Sequence, residues 1–400
     1  MPSTAPRAQV RDVVVAGGGV VGLTVALALA RRGARVSLIG IHRTGEASPA
    51  AAGMLAPSHE RGATHDTSRS DAFAMAARDG YAAYLASLRE LSNVVVPHND
   101  RGILEIVLDS ATAATRRTEI ARAEIARASV TTVSGNTVSG NTVTDATRWL
   151  DSAAVRTLEP ALAPVIGAML YPRDGAVDTR ALLGALQAAV DAHPGISCAE
   201  DAVRALEFIG DSVICRTTGD ARFSAGHVVV AAGAWAPMID GLPRALPIQP
   251  IRGQILALGG ANAAADPLHR LGRVVYGEGG YLVPRETGEI LVGSTMERTG
   301  FDASTTDAAR AHLRALAIAL CPALSEAPVI DSWAGLRPVT PDLLPILGRD
   351  PEQPSLLYAC GHSRNGILLA PLTGDCVAAL ITGETPPADI SPFSITRFSV

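Results

Sequence analysis

The chain has 400 residues, 48% apolar and 18% charged, with Lys+Arg 34 against Asp+Glu 39 for a formal net charge of -5. It is too apolar to be disordered, and long enough for two or three domains with a real core. With no basic excess to hold phosphate backbones and only 4% aromatics for base stacking, nucleic acid is excluded as a partner.

The first residues, MPSTAPRAQVRD, lack the apolar centre of a signal peptide. Residues 13–16 (VVVA) are a short apolar run, as in a strand buried on both faces. Gly17-Gly18-Gly19-Val20-Val21-Gly22 follows, and then residues 23–32, apolar at helical spacing with arginines in the last turn. Gly33 stops that helix and residues 35–39 read as a second strand. Residues 47–57 are rich in Ala and Gly, and residues 71–91 read as one helix. Residues 102–108 read as a strand and 112–128 as an exposed helix. The tandem SGNTV-SGNTV at 134–143 carries two Gly-Asn turn signals and predicts a surface hairpin without chemistry. A helix at 179–192 and a buried strand at 228–231 come next, the strand ending in Ala232-Gly233-Ala234-Trp235. Strands and turns then dominate (254–258, 274–276, 281–284, 290–292), followed by a helix at 306–320. A strand at 356–359, a turn at 361–366 and a helix at 367–382 close the pattern.

No charge-free apolar run of about 18 residues predicts a membrane span. Cys198, Cys215, Cys321, Cys360 and Cys376 are odd in number and widely spaced, with no CxxC pair. They predict neither a disulfide framework nor a metal site, and a reducing, cytoplasmic setting.

Gly17-x-Gly19-x-x-Gly22 between strand and helix is a dinucleotide-binding pattern. The first glycine allows the tight turn, the second lets backbone approach a pyrophosphate, and the third lets helix and strand pack closely. The helix N-terminus adds free N–H groups and a positive dipole end. One expected feature is missing. Gly40 ends the second strand where an acidic residue should hold the ribose hydroxyls. Glu46 is the nearest carboxylate and lies in a loop, so the ribose is left to backbone, Arg43 or water. A carboxylate restored at position 40 is expected to tighten binding. The small residues from Ser48 to Met54 let a helix start lie against a bulky ring and its pyrophosphate, which favours a flavin over a nicotinamide.

Residues 50–57 (AAAGMLAP), 335–338 (GLRP) and above all 361–371 (GHSRNGILLAP) carry a specific resemblance. Outside the pentapeptide repeat, the whole chain resembles the FAD-dependent amino acid oxidases of the D-amino acid oxidase superfamily, and within it the glycine oxidases of thiamine biosynthesis. Carried over residue by residue, the resemblance puts Val20 and Val21 in the phosphate turn, beside Gly17, Gly19 and Gly22. It puts Ala47, Ser48, Ala52, Gly53 and Met54 against pyrophosphate and flavin, and Val203 in backbone contact with adenine. Gly233 joins the cofactor set. His362, Ser363, Arg364, Asn365, Gly366, Ile367 and Leu368 face the flavin's pyrimidine end, where a helix start would stabilise negative charge. Two positions depart from the family: Ser363 stands where an aromatic residue is usual, and Gly279 where a His is frequent.

Arg337 sits in an apolar stretch with Asp331 and Asp342 as the nearest acids. A structural ion pair with one of them competes with a bidentate clamp on a substrate carboxylate, and the resemblance implies the clamp. It likewise implies that Arg364, Tyr281, Met54 and Met296 face substrate. On residue type alone Tyr281 could be edge-strand packing, and Met296 could equally be core filler.

The expected fold is α/β: a Rossmann-like FAD-binding domain (10–95, 172–235, 331–390) with a smaller antiparallel-sheet substrate domain (96–171, 236–330). The resemblance implies oxidative deamination of glycine to its imine and glyoxylate, with ammonia and hydrogen peroxide as products. A small amino acid and dioxygen are then the partners. Thiazole synthase is a further implied partner, and homo-oligomerisation is left open. The alternatives are a D-amino acid or sarcosine oxidase, a flavin dehydrogenase passing electrons to a quinone, and a flavin-binding assembly module without activity. The missing acid at Gly40 favours the module; Arg337, Arg364 and Tyr281 together argue for an enzyme.

Overall fold

The computed structural model describes residues 9–59, 67–133, 146–259 and 271–398. The pentapeptide repeat at 134–143 lies outside them. Strand β1 (Gln9–Ala16) pairs in parallel with β2 (Val36–Gly40) on one side and with Arg222–Val230 on the other. The parallel run extends from β2 to Ile196–Glu200 and from Arg222–Val230 to Leu356–Cys360. Ile346–Arg349 and the hairpin of Val203–Ile209 with Ser212–Thr217 add antiparallel pairs, completing an eight-stranded sheet.

The apolar run in β1 is continuous because both faces are covered. Val13 and Val15 pack beneath the helices α1 (Val20–Ala30), Thr179–Ala192 and Gly366–Thr382. Val14 and Ala16 pack on the opposite side with Leu206, Val213 and Ile239. Helix α1 starts at Val20, three residues before the periodicity predicts, so Val20, Val21 and Gly22 form its first turn. The helix expected over 71–91 is two, Thr67–Asp79 and Tyr81–Ser92, separated at Gly80. Asn93, in the left-handed region at φ 56, ends the second.

A second eight-stranded sheet runs in the order Val329–Val339, Gln249–Leu258, Ile290–Gly293, Gly280–Pro284, Val274–Gly277, Ile103–Val107, Gly167–Tyr171, Arg148–Asp151. Its neighbours are antiparallel except Val274–Gly277 with Ile103–Val107, which run parallel. Val329–Val339 keeps pairing with Gln249–Leu258 as far as Val339. Residues 331–339, grouped with the dinucleotide domain on sequence grounds, therefore belong to this second sheet. Side chains alternate between the two faces of the sheet, and both faces are covered. Leu104, Leu256, Leu282 and Val292 pack against the helix Asp307–Leu320, whose N-cap Thr306 accepts from the Ala309 N–H. Ile255, Tyr281, Val283 and Leu291 turn the other way, toward Ala52, Met54 and Trp333. That second face meets the carboxyl ends of the parallel strands. Among the described residues no helix is long and apolar enough to cross a membrane, and all five cysteines are free.

Candidate active site

A cavity of about 800 Å³ runs along the carboxyl ends of the parallel strands, where ligands of open α/β sheets bind. One end is the turn at residues 17–19. Gly17 is left-handed at φ +129, and a Cβ there would overlap the Ala231 carbonyl. A Cβ on Gly22 would overlap the Gly17 carbonyl, so this glycine is what lets α1 start so close to β1. Gly19 caps α1 without a side chain, and the Ser48 hydroxyl accepts from the Val20 N–H at 3.0 Å. Ser48 thus ties the segment after β2 to the helix start.

That segment is pinned from three sides. The Trp333 indole N–H donates to the Ala50 carbonyl at 3.2 Å, and the Thr179 hydroxyl to the Ala51 carbonyl at 2.9 Å. Arg285, whose side chain is 8% exposed, donates to the Val177 carbonyl at 2.7 Å and the Ala52 carbonyl at 3.0 Å. Burial pushes its guanidinium pKa down from the ordinary value. Ala52, Gly53 and Met54 are held along the cavity wall as a result. Arg285 was not legible as a site residue; its only signal is a charge in an otherwise apolar strand end.

The opposite wall is the turn at 361–365 and the start of the helix Gly366–Thr382. Gly361 at φ +71 and Ser363 at φ +52 are both left-handed, which folds the turn over the helix start. The Ser363 N–H donates to the Pro338 carbonyl at 3.0 Å. His362 is buried, its Nε2 3.1 Å from the Thr373 hydroxyl, and burial pushes its pKa down to about 3. It is a neutral prop for the turn. Leu368 is buried in the core and is absent from the cavity wall, so the wall ends at Ile367.

Between these walls the second sheet supplies Tyr276, Tyr281, Ser294, Met296 and Arg337. Gly253 lies on the strand facing Arg337, and a Cβ there would overlap the guanidinium. Arg337 donates to the Ser294 hydroxyl at 2.6 Å and the Thr295 carbonyl at 3.2 Å. Neither acid expected to compete for it does so. Asp331 lies 3.8 Å from Arg180, and Asp342 takes Arg397 at 2.7 Å. Among the described residues Arg337 has no carboxylate partner. Tyr281 is buried, with its ring 5.6 Å from Tyr276, which stacks on His59 at 3.9 Å. Met296 is 61% exposed at the cavity rim, which overturns the core-filler reading. A Cβ on Gly279 would meet nothing within 4 Å, so the cavity is open there.

Residues 12–380 match the family model described as FAD dependent oxidoreductase. The chain belongs to this family. A glycine oxidase from Geobacillus kaustophilus is 32% identical over 96% of this chain and 97% of its own. The crystal structure of glycine oxidase from that organism superposes with a TM-score of 0.84, covering 98% of this chain and 100% of that one. An iminodiacetate oxidase structure from Chelativorans sp. BNC1 gives a TM-score of 0.80 at 25% identity, covering 96% and 98%. The bifunctional protein ThiO/ThiG of Nostoc sp. is 34% identical over 97% of this chain but 55% of its own length. The chain thus spans about half the length of the bifunctional relatives it matches.

FAD is the cofactor of this family, and the cavity fits it. Two helix starts open onto one space, and the glycines let the Gly17–Gly22 turn pack tightly against Ala231 and α1 so that its backbone lines that space. We assign the phosphate end to Gly17, Gly19, Val20 and Val21, the middle to Ala47, Ser48, Ala52, Gly53 and Met54, and the far end to Gly233 and residues 361–367. Val203 lines the same cavity, and we assign the adenosine end to it. Gly40 lines the cavity too, but a Cβ there would lie 2.6 Å from the Gly18 N and Cα. This argues against the expectation that Gly40→Glu tightens binding: the position has no room for a side chain unless the phosphate turn shifts.

Proposed function

We propose that the chain is an FAD-dependent oxidase of glycine and closely related small amino acids, and that Arg337 binds the substrate carboxylate. The observation that carries this reading is a guanidinium facing the cavity without an acid partner. Its two neutral acceptors, Ser294 and Thr295, orient it and use two of its five N–H groups. The remaining fork matches a carboxylate bidentately. Tyr281 and Arg364 flank the same space.

FAD held by the Gly17–Gly22 turn, residues 47–54 and residues 361–367 would supply the redox chemistry: a two-electron hydride acceptor for the substrate α-carbon that dioxygen reoxidises, with hydrogen peroxide as product. The protein orients and excludes. Clamping the carboxylate fixes which face of the α-carbon can give up its hydrogen. Among the described residues the carboxylates lining the cavity are Glu46, Glu200 and Asp201. Among the described residues none of these carboxylates pairs with Arg337, which suits a substrate amine that is neutral when it reacts and needs no strong protein base. The imine then hydrolyses to glyoxylate and ammonia.

The open space at Gly279 and the exposed Met296 at the rim favour N- or α-substituted glycines as additional substrates, and the resemblance to an iminodiacetate oxidase supports the N-substituted class. We assign the imine to a partner enzyme, thiazole synthase of thiamine biosynthesis. The bifunctional Nostoc relative, with its surplus length, supports that assignment. Incubation with glycine in air tests the activity. Hydrogen peroxide and ammonia should appear in equal amounts; ammonia without peroxide would point to another electron acceptor, and neither would defeat the reading.

A further inference from the structure

The adenosine end of the cavity poses a problem that the site described so far does not solve. A ribose with two adjacent hydroxyls is normally held by a carboxylate at the end of the second strand. Here that strand ends in Gly40, which backs onto Gly18 too closely to carry any side chain. Some other group must accept the hydroxyl protons, or they stay with water.

Among the described residues three carboxylates line the cavity, and two are already engaged. Glu46 accepts from the Arg43 N–H at 2.7 Å, and its other oxygen lies 3.5 Å from the His42 ring. Asp201 accepts from the Ala202 N–H at 2.7 Å, the Thr218 hydroxyl at 2.6 Å and the Gly219 N–H at 3.2 Å. Arg43, the cationic candidate, lies over the Trp235 ring at 5.6 Å. Glu200 is the third carboxylate. It is exposed, and among the described residues it has no hydrogen-bond or ion-pair partner.

Its position in the fold is specific. Ile196–Glu200 runs parallel to β2, and the ladder sets Gly40 directly against Glu200. Register partners in a parallel pair put their side chains on the same face, one strand spacing apart, about 4.8 Å. Glu200 is thus the residue that projects from the adjacent strand on the face where a side chain at position 40 would have projected. Both open onto the same cavity end as Val203 and the Gly17 turn. We infer that Glu200 holds the adenosine ribose of FAD, taking from the neighbouring strand the place that an acidic residue at the end of β2 would fill. Loss of the side chain at 40 lets the Gly18 turn settle against β2, and the carboxylate is displaced sideways by one strand. This rests on the assignment of the cavity to FAD and extends it to a residue outside the family's usual ribose position.

The test is titration of apoprotein with FAD and with FAD lacking the 2′-hydroxyl of its adenosine ribose, followed by flavin fluorescence. Glu200→Gln should raise the FAD dissociation constant by about 10- to 100-fold, the range for a charge-assisted hydrogen bond. The deoxy analogue should bind the parent protein more weakly than FAD, and that penalty should shrink in Glu200→Gln, whose amide oxygen accepts without the charge. Glu200 is exposed, so the apoprotein of the variant should melt as the parent does, separating this effect from misfolding. An unchanged dissociation constant in Glu200→Gln overturns the inference. So does a deoxy penalty of equal size in both proteins, which would place the ribose contact elsewhere. Failure of the parent apoprotein to bind FAD at all would instead defeat the cofactor assignment.

Discussion

Replacing Arg337 by Ala removes a cavity-lining guanidinium that has no carboxylate partner among the described residues, and its surroundings bear on the size of the effect. The side chain is held by the Ser294 hydroxyl and the Thr295 carbonyl, both neutral, and Ser294 lines the open cavity. Truncation lets water reach those acceptors, so little folding energy is lost. The cost falls on the substrate carboxylate, which loses a charge-assisted pair of about 1.5–3 kcal/mol. At 1.36 kcal/mol per tenfold, kcat/KM for glycine should drop roughly 10- to 150-fold. Arg337→Lys should recover only part, because an ammonium cannot span Ser294 and a carboxylate as the planar fork does. Flavin content should stay at the parent level. Steady-state peroxide assays give the ratio, and acetate provides a separate readout: it should inhibit the parent competitively and lose its hold on the Ala variant. Unchanged kcat/KM and unchanged acetate inhibition in Arg337→Ala would refute the clamp.

Gly40→Glu and Gly40→Ala should both weaken FAD, because a Cβ lies 2.6 Å from Gly18 backbone; overpacking of about 1–3 kcal/mol corresponds to roughly 5- to 150-fold in the dissociation constant by apoprotein titration. Tighter binding by Gly40→Glu would show that the turn moves freely and that the second strand can carry the ribose carboxylate after all. His362 is buried neutral with its pKa pushed to about 3, below the unfolded value of about 6.5, so the unfolded chain takes up a proton that the folded chain refuses. Stability on this account is full above pH 6.5 and falls as pH drops toward 3, by up to about 1.4 kcal/mol per pH unit. The melting temperature of His362→Asn should fall less steeply below pH 6.5 than the parent's, and an equal slope would exclude His362 as the cause. Burial lowers His59, His98 and His227 as well, so the slope is reduced rather than abolished. With the cavity open at Gly279, sarcosine and D-alanine should be oxidised with kcat/KM within about tenfold of glycine, one methyl group being worth about 1–3 kcal/mol, while L-alanine should fail. Activity on L-alanine in a peroxide panel would overturn the proposed orientation.

The parts of the site that lie within a few residues of each other were legible in the sequence. The Gly17–Gly22 turn needs only its own strand and helix, and the 361–367 turn announces itself by glycines on either side of a polar stretch. The parts made by strand pairing were not. Gly253 is an unremarkable glycine until Val329–Val339 pairs beside it and brings Arg337 across. The ion pair open to Arg337 on sequence proximity disappears because Asp331 and Asp342 meet arginines from residues 180 and 397. Helix α1 began early because Val20 and Val21, which read as loop in the motif, gain a cap from Ser48, 28 positions away. The tie from Arg285 to the Ala52 carbonyl likewise depends on a contact that no local pattern encodes. Glu200 is the extreme case, since its relevance rests entirely on which residue lies opposite it in a parallel ladder.

The central claim is that this cavity holds FAD and oxidises the α-carbon of a small amino acid. It is tested most directly by mixing the purified yellow protein with glycine in the absence of oxygen. The flavin absorbance should bleach, and should return on admission of air with one hydrogen peroxide formed per flavin. A protein that binds FAD but keeps its oxidised spectrum under glycine, sarcosine and D-alanine alike would contradict the account.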